Sequence, residues 1–467
     1  MSQKATKNPD LRDLPKVDVL LGTQPFADLI TQFGRVLVTT ETRAALEDLR
    51  ERLKSGAQVS PEELDKAALL EAVNKRVTKL MLPKLCRVIN ATGVILHTSL
   101  GRAPLAERAV ESAMREASGY SLLELDRESG KRSDRDKLVS SLICRLTGAE
   151  AATVVNNNAA ATMIVLNSLA EGHEVVCSRA HMVEIGGSYR MPDVMRKAGV
   201  TLREVGCTNK TRAQDFEDAS GPNTAMLMKV HTSNYAIVGF TEEPELAELV
   251  SLGKKLKLPV FYDLGSGSMV DLAKFGLTRE PCVPDLMKSG VDVLCISGDK
   301  LFGGPQAGMI MGSKDLIEKI KRNALFRMVR CDKVTLALLE ATLRLYLKPE
   351  NVFERVPTLR AIARTEDDVK AEASKIAATL DQLGIDASIA QAQSQIGGGS
   401  TPGEYLPTTV VIVRGLGRSP DAAATLLRRN TPSVFCRIEY DALVFDPRSL
   451  LPGQAEELVA AIGAIKQ

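Results

Sequence analysis

Val291-Asp292-Val293-Leu294-Cys295-Ile296-Ser297-Gly298-Asp299-Lys300-Leu301-Phe302-Gly303-Gly304-Pro305-Gln306-Ala307-Gly308 joins an apolar run to a lysine inside a glycine-rich turn. The run from Val291 to Ile296 predicts a buried strand, and Gly298, Gly303 and Gly304 mark the turn that follows it. A strand fixes the amine of Lys300, and the small neighbours leave room for a flat ring. This arrangement suits a lysine held in Schiff-base linkage to an aldehyde cofactor. Taken alone, a lysine between glycines is an ordinary surface residue, so the segments upstream decide its meaning.

Working backward, Pro259-Val260-Phe261-Tyr262-Asp263-Leu264-Gly265-Ser266-Gly267-Ser268 reads as a second buried strand ending in an aspartate. A carboxylate at a strand's carboxyl end can pair with a pyridinium nitrogen and keep it protonated, which sustains an electron sink. Earlier still, Ala151 to Val155 runs into Asn156-Asn157-Asn158-Ala159-Ala160-Ala161-Thr162 and a helical pattern to Leu169. Asn157, Asn158 and Ala159 then stand where free backbone N–H groups and the helix dipole favour a phosphate. Ser297 is placed to donate its hydroxyl to the same phosphate. Lys300, Asp263 and this helix start together point to pyridoxal 5′-phosphate.

Rival motifs are weaker. Ser297 to Lys300 has the Ser-x-x-Lys spacing of penicillin-binding enzymes, but the companion Ser-Asp-Asn and Lys-Thr-Gly elements are missing from the sequence. No P-loop is present, and Gly265-Ser266-Gly267 lacks the third glycine of a dinucleotide fingerprint.

Composition narrows the class further. The 467 residues are 44% hydrophobic and 25% charged, as expected of an ordinary water-soluble protein with a large core. Met1 to Asp10 is polar, which argues against a signal peptide, and no apolar stretch reaches membrane-spanning length. The eight cysteines form no C-x-x-C pair, and several fall in apolar runs, so they read as reduced residues of a cytoplasmic protein. Four histidines are too few and too scattered to imply a metal site. A net charge of +2 announces no nucleic-acid binder. With no tryptophan and 4% aromatics, any RNA contact would read shape and phosphates more than stack on bases.

Three domains are expected. Residues 1–82 read as a helical module with a linker helix. In it, Ser60-Pro61-Glu62-Glu63 carries the capping signals of a helix start, and Leu64, Ala67, Leu70, Val73, Val77 and Leu80 follow at helical spacing. A further helix is expected over Glu41 to Leu53, ending at Ser55-Gly56. Residues 83–335 alternate strands with helices, and seven short apolar strands predict a mostly parallel sheet covered on both faces. Residues 336–467 read as a smaller α/β domain. Its segment Gln395-Ile396-Gly397-Gly398-Gly399-Ser400-Thr401-Pro402-Gly403 is expected to be a flexible loop, either a linker or a mobile active-site element.

The segment Arg87-Val88-Ile89-Asn90-Ala91-Thr92-Gly93-Val94-Ile95-Leu96-His97-Thr98-Ser99-Leu100-Gly101-Arg102-Ala103-Pro104-Leu105 resembles the opening of the bacterial selenocysteine synthase family, the L-seryl-tRNA(Sec) selenium transferases. The resemblance continues through the asparagine turn, Arg179 to Ser188, Val230 to Phe240, Asp263 to Gly267, the lysine motif and Gln395 to Ser400, so it spans almost the whole chain. It implies an α/β, fold-type I pyridoxal-phosphate-dependent transferase built as dimers that share active sites and assemble into a decamer. It also implies that the N-terminal helical module grips the tRNA. The implied reaction converts seryl-tRNA(Sec) to selenocysteyl-tRNA(Sec), with selenophosphate as donor and a cofactor-bound aminoacrylyl intermediate. Lys300 is then the base, and Arg102, Arg327 and Arg330 match the family's anion-binding arginines. His181 is expected to stack on the cofactor ring and Asn234 to bond its phenolic oxygen, although each also has a plain structural reading.

Overall fold

The computed structural model describes residues 9–278 and 280–466. The chain divides into two compact units, Met1–Arg87 and Val88–Gln467.

The first unit is helical. Gln24–Phe33 (α1), Arg35–Lys54 (α2) and Lys66–Met81 (α3) pack around Phe26, Leu29, Val38, Leu46, Leu49, Leu69, Val73 and Val77. The expected helix at Glu41 to Leu53 is the C-terminal part of α2 and stops at Ser55 as its capping signals require. The Ser60 signal behaves differently. Ser60 and Glu63 do form a capping box, but over the short 3-10 turn Pro61–Leu64, and the extended backbone of Asp65 separates that turn from α3. The capping chemistry was therefore legible while the break after it was not.

The second unit is organised by a seven-stranded sheet of Ala151–Val155 (β1), Glu174–Ser178 (β2), Thr201–Val205 (β3), Thr224–Val230 (β4), Val260–Gly265 (β5), Val293–Ser297 (β6) and Gly308–Gly312 (β7). Their order is β1-β7-β6-β5-β4-β2-β3. Six strands run one way, and β7 is antiparallel to both β6 and β1. Alternate residues enter different cores: Leu294, Ile296, Met309 and Met311 pack on one face, while Val293, Cys295 and Ile310 pack on the other. Burial on both faces is why these strands read as continuous apolar runs. Because the parallel strands share a direction, the chain leaves β1, β5 and β6 at one edge. That brings the Asn156-Asn158 turn, Asp263 and the Lys300 turn together.

A four-stranded sheet comprises Asp386–Gly397 (β8), Ser400–Arg414 (β9), Arg437–Glu439 (β10) and Ala442–Phe445 (β11), in the order β8-β9-β11-β10. A third core with Val411, Val413, Leu427, Phe445 and Leu458 lies against it. The expected flexible loop at 395–403 is instead the tip of a long hairpin. β8 runs to Gly397, β9 resumes at Ser400, and Gly397, Gly398 and Gly399 take positive φ of 76°, 63° and 72° to make the turn. Glycine is required there for packing as well. A Cβ on Gly397 would stand 2.4 Å from Val94 Cγ1, and one on Gly398 would stand 2.9 Å from Leu96 Cβ.

All eight cysteines are free; Cys177, Cys295 and Cys331 are buried, whereas Cys86 and Cys207 are exposed. Among the described residues no helix is long and apolar enough to cross a membrane, and no His/Cys/Asp/Glu cluster is placed to hold a metal.

Candidate active site

Lys300 follows β6 in a turn closed by backbone bonds from Gly298 N to Ala307 O (2.8 Å), Gly304 N to Gly298 O (2.8 Å) and Gly303 N to Lys300 O (2.9 Å). The closure leaves no room for side chains at the glycines: a Cβ on Gly298 would lie 2.5 Å from Pro305 O. Lys300 is 7% exposed and borders a cavity of about 370 Å³ with Asp263, Asn158, Arg102, His231 and Tyr189. Burial pushes its amine below the ordinary lysine range, and the positive charge of Arg102 adds to the effect against opposing pulls from Asp299, Asp263 and Glu280. A lysine so placed is more often neutral and nucleophilic than one in water.

Asp263, 5% exposed, lies near the carboxyl end of β5. Asn158 Nδ2 donates to its Oδ1 (2.9 Å), the Thr162 hydroxyl donates to its Oδ2 (2.7 Å), and the Cys295 thiol lies 3.5 Å from Oδ1. Burial raises the Cys295 thiol well above its ordinary range, so it is a neutral donor. The helix Asn158–Ala170 (α4) begins at the expected turn. Asn157 is its N-cap, accepting from Ala160 N at 2.8 Å, and Asn157, Asn158 and Ala159 all border the cavity. Asn158 thus ties the helix start to the carboxylate.

Arg102 reaches the same cavity, from a left-handed backbone (φ 60°) just after Gly101. Its Nη1 pairs with Asp299 Oδ2 at 2.8 Å, and the Ser297 hydroxyl donates to Asp299 Oδ1 at 2.7 Å. Ser297 therefore lines the cavity, but its hydroxyl is engaged by Asp299, a partner the sequence reading did not consider.

The other candidates lie elsewhere. His181 is 1% exposed and is not among the residues lining the Lys300 cavity. Its Nδ1 accepts from Val230 N (3.5 Å) and its Nε2 faces Glu243 Oε2 (3.3 Å). Burial pushes His181 below the ordinary imidazole range despite that carboxylate, so a neutral ring donates Nε2–H. Glu243 is pulled down to about 2, first by the His181 hydrogen bond and then by Lys229, whose Nζ lies 2.9 Å from Oε1. Asn234 donates to Glu184 O (2.9 Å) and borders a neighbouring cavity. Arg327 and Arg330 line a third cavity, of about 510 Å³, with Glu124, Arg135 and Lys321. The bridge between Val155 and Arg330 and the bond from Asn156 N to Val329 O (2.8 Å) put their backbone beside the asparagine turn, but within one chain they do not join Lys300.

Sequence reasoning missed Thr162 and Asp299, and it left the 395–403 segment open between a linker and an active-site element. Thr162 was findable, since it stands one helical turn after Asn158 and so shares its face. The hairpin tip lies beside the amine: Ser400 Oγ meets Ser266 Oγ at 2.7 Å, and a Cβ on Gly399 would lie 3.7 Å from Lys300 Nζ. The turn therefore roofs the amine with bare backbone.

Residues 88–451 match the family described as L-seryl-tRNA selenium transferase, and residues 11–50 match selenocysteine synthase N terminal. The chain is 45% identical over 452 residues to the L-seryl-tRNA(Sec) selenium transferase of Hyphomonas neptunium, covering 97% of this chain and 98% of that protein. It is 43% identical over 443 residues to the protein of the same name from Carboxydothermus hydrogenoformans, covering 94% of each. Among solved structures it resembles D-glucosaminate-6-phosphate ammonia-lyase in fold, with TM-score 0.57 and 21% identity over 82% of this chain and 96% of that one.

Proposed function

The chain belongs to the L-seryl-tRNA selenium transferase family, and on that premise we propose that it converts seryl-tRNA(Sec) to selenocysteyl-tRNA(Sec) with selenophosphate as selenium donor. The observation that carries this reading is the meeting of a buried, pKa-lowered Lys300 with the three-donor Asp263 in one cavity at the start of α4.

These residues fit pyridoxal 5′-phosphate. Asn158 Oδ1 is a buried acceptor with no partner among the described residues, and the cavity offers an amine, a carboxylate and a helix N-terminus together. Lys300 would hold the aldehyde carbon, Asp263 the pyridine nitrogen, and the turn at Asn157, Asn158 and Ala159 the phosphate. When bound, the group supplies an electron sink for charge developing at the substrate's Cα. Lys300 would take the Cα proton once its amine is free, since burial favours the neutral form of the amine that can accept one. In the proposed reaction the β-hydroxyl would leave as water with the proton returned by Lys300, and the selenium nucleophile would add at the same carbon, beside the backbone of Gly399.

Arg102 supplies a guanidinium for the anionic donor within the cavity. Arg327 and Arg330 face another cavity in the single chain, so their part depends on a second copy, consistent with a homo-oligomer, a decamer built from dimers. The helical unit at the N-terminus is the proposed grip on the tRNA, and the setting is cytoplasmic selenoprotein biosynthesis.

The test is to incubate the purified protein with tRNA(Sec) carrying radiolabelled serine, with and without selenophosphate, then deacylate and identify the labelled amino acid. Selenocysteine formed only on tRNA(Sec), and only with the donor, supports the reading. Unchanged serine, with a bound cofactor whose spectrum responds to free amino acids, replaces it with a small-molecule enzyme.

A further inference from the structure

A separate cavity of about 200 Å³ lies between the hairpin tip and the Ser233-Asn234 turn. It is smaller than the roughly 300–1,000 Å³ of sites for drug-sized ligands and suits a single ring. Two features connect it to Lys300. Ser233 borders both cavities, and Gly399, part of its wall, passes so close to Lys300 that an added Cβ would stand 3.7 Å from Nζ.

Thr401 marks this cavity as more than a packing gap. It is 3% exposed and holds φ +46°, a conformation that a β-branched residue rarely adopts. Its Oγ1 is buried with no hydrogen-bond partner among the described residues. A strained backbone at a residue of the cavity wall, with a buried hydroxyl that lacks a partner, is a cost that a bound hydroxyl group would offset. The chemistry of the wall selects the ligand. Thr401, Ser233, Asn234, Gln395 and Tyr405 are neutral hydrogen-bonding groups, and the only charge among the described lining residues is that of Glu404. Such a wall repels phosphate or selenophosphate and suits a polyhydroxylated, uncharged ring.

Resting on the function proposed above, we infer that this cavity receives the 3′-terminal ribose of the aminoacylated RNA, with Thr401 Oγ1 bonded to a ribose hydroxyl. In an aminoacyl ester only the Cα and the carbonyl carbon separate the amine from the ribose oxygen. A seryl group engaged at Lys300 must therefore place its pentose in the adjoining space.

The probes are 3′-O-seryl-adenosine and serine methyl ester, titrated into the holoenzyme and followed by the cofactor's absorption, together with adenosine alone, followed by calorimetry. Wild type is expected to bind seryl-adenosine about tenfold more tightly than the methyl ester, one hydrogen bond's worth. T401V should abolish that preference and weaken adenosine binding while leaving the methyl ester unchanged, and T401S should keep the preference. A T401V protein that retains the preference, or that loses both esters in parallel, overturns the assignment. Were T401V to misfold, Y405A carries the test, since Tyr405 is 46% exposed and its truncation spares the core. Its preference for seryl-adenosine must fall, and an unchanged preference overturns the assignment. Conversion of seryl-tRNA(Sec) without any preference for seryl-adenosine defeats the subsite alone. A clear preference without conversion of seryl-tRNA(Sec) defeats the proposed function instead.

Discussion

The Thr162 hydroxyl donates a 2.7 Å hydrogen bond to Oδ2 of Asp263, from one helical turn beyond Asn158, which binds Oδ1 of the same carboxylate. The first two turns of helix α4 therefore hold the aspartate proposed to bind the ring, and its start is proposed to hold the phosphate. T162V removes a charge-assisted bond to a buried acceptor, a loss of about 1.5–3 kcal/mol. The expected outcome is pyridoxal phosphate binding weakened at least about tenfold, with T162S close to wild type. Equilibrium dialysis of cofactor against the three proteins decides it, and equal affinity for T162V and wild type would show that Thr162 does not position Asp263.

Lys300 is a buried amine whose pKa is lowered in the folded chain. Between that lowered value and the ordinary one near 10.4, the unfolded chain binds more protons than the folded chain, so stability rises with pH through this window. In the cofactor-free protein K300M is expected to melt higher than wild type at neutral pH and to lack that rise. Calorimetric melting from pH 7 to 10 provides the check.

Glu243 joins buried His181 and Lys229 and is pulled down to about 2. Its folded pKa lies below its unfolded one, so its contribution is fully present above the ordinary glutamate range and is lost as pH falls toward about 2. The Glu243 carboxylate is itself half-exposed, so solvent screens the pair, and E243Q, which leaves the Lys229 ammonium without its carboxylate, should cost about 1 kcal/mol at pH 7. It should also flatten the acid limb of the urea-unfolding profile. An acid limb identical to wild type would mean that the cluster does not act as a charged unit.

Gly303 holds φ +73°, and a Cβ there would stand 2.4 Å from Val356 Cγ1. G303A combines left-handed strain with overpacking, so a loss of about 2–4 kcal/mol is expected. Because Gly303 N bonds Lys300 O, the variant should also lose cofactor retention. Chemical denaturation and the absorption spectrum of the purified protein report the two effects.

If Arg327 and Arg330 act in a second copy's site, K300M and R330A homo-oligomers are each inactive. Dissociating and reassociating a mixture of the two should then restore roughly a quarter of wild-type activity, the statistical share of intact sites in shared dimers. No recovery after verified mixing would place each site within a single chain.

Much of this protein was legible from local pattern. Burial of both sheet faces turns β1, β5 and β6 into continuous apolar runs, and parallel strands end at a common edge. Asp263, Lys300 and the asparagine turn were therefore certain to converge once the fold class was read correctly. Capping chemistry at Ser60 was equally local, because it depends on residues within one turn.

Tertiary structure alone decided what met across long stretches of chain. Gly399 lies 99 positions beyond Lys300, and nothing in the spacing of three glycines distinguishes a hairpin turn seated on the Lys300 amine from a linker. The fates of His181, drawn away to Glu243, and of Arg327 and Arg330, turned into another cavity, depended likewise on side-chain directions set by distant partners. Sequence periodicity reports which face of an element is buried. It carries no record of which remote group occupies the space that the face encloses.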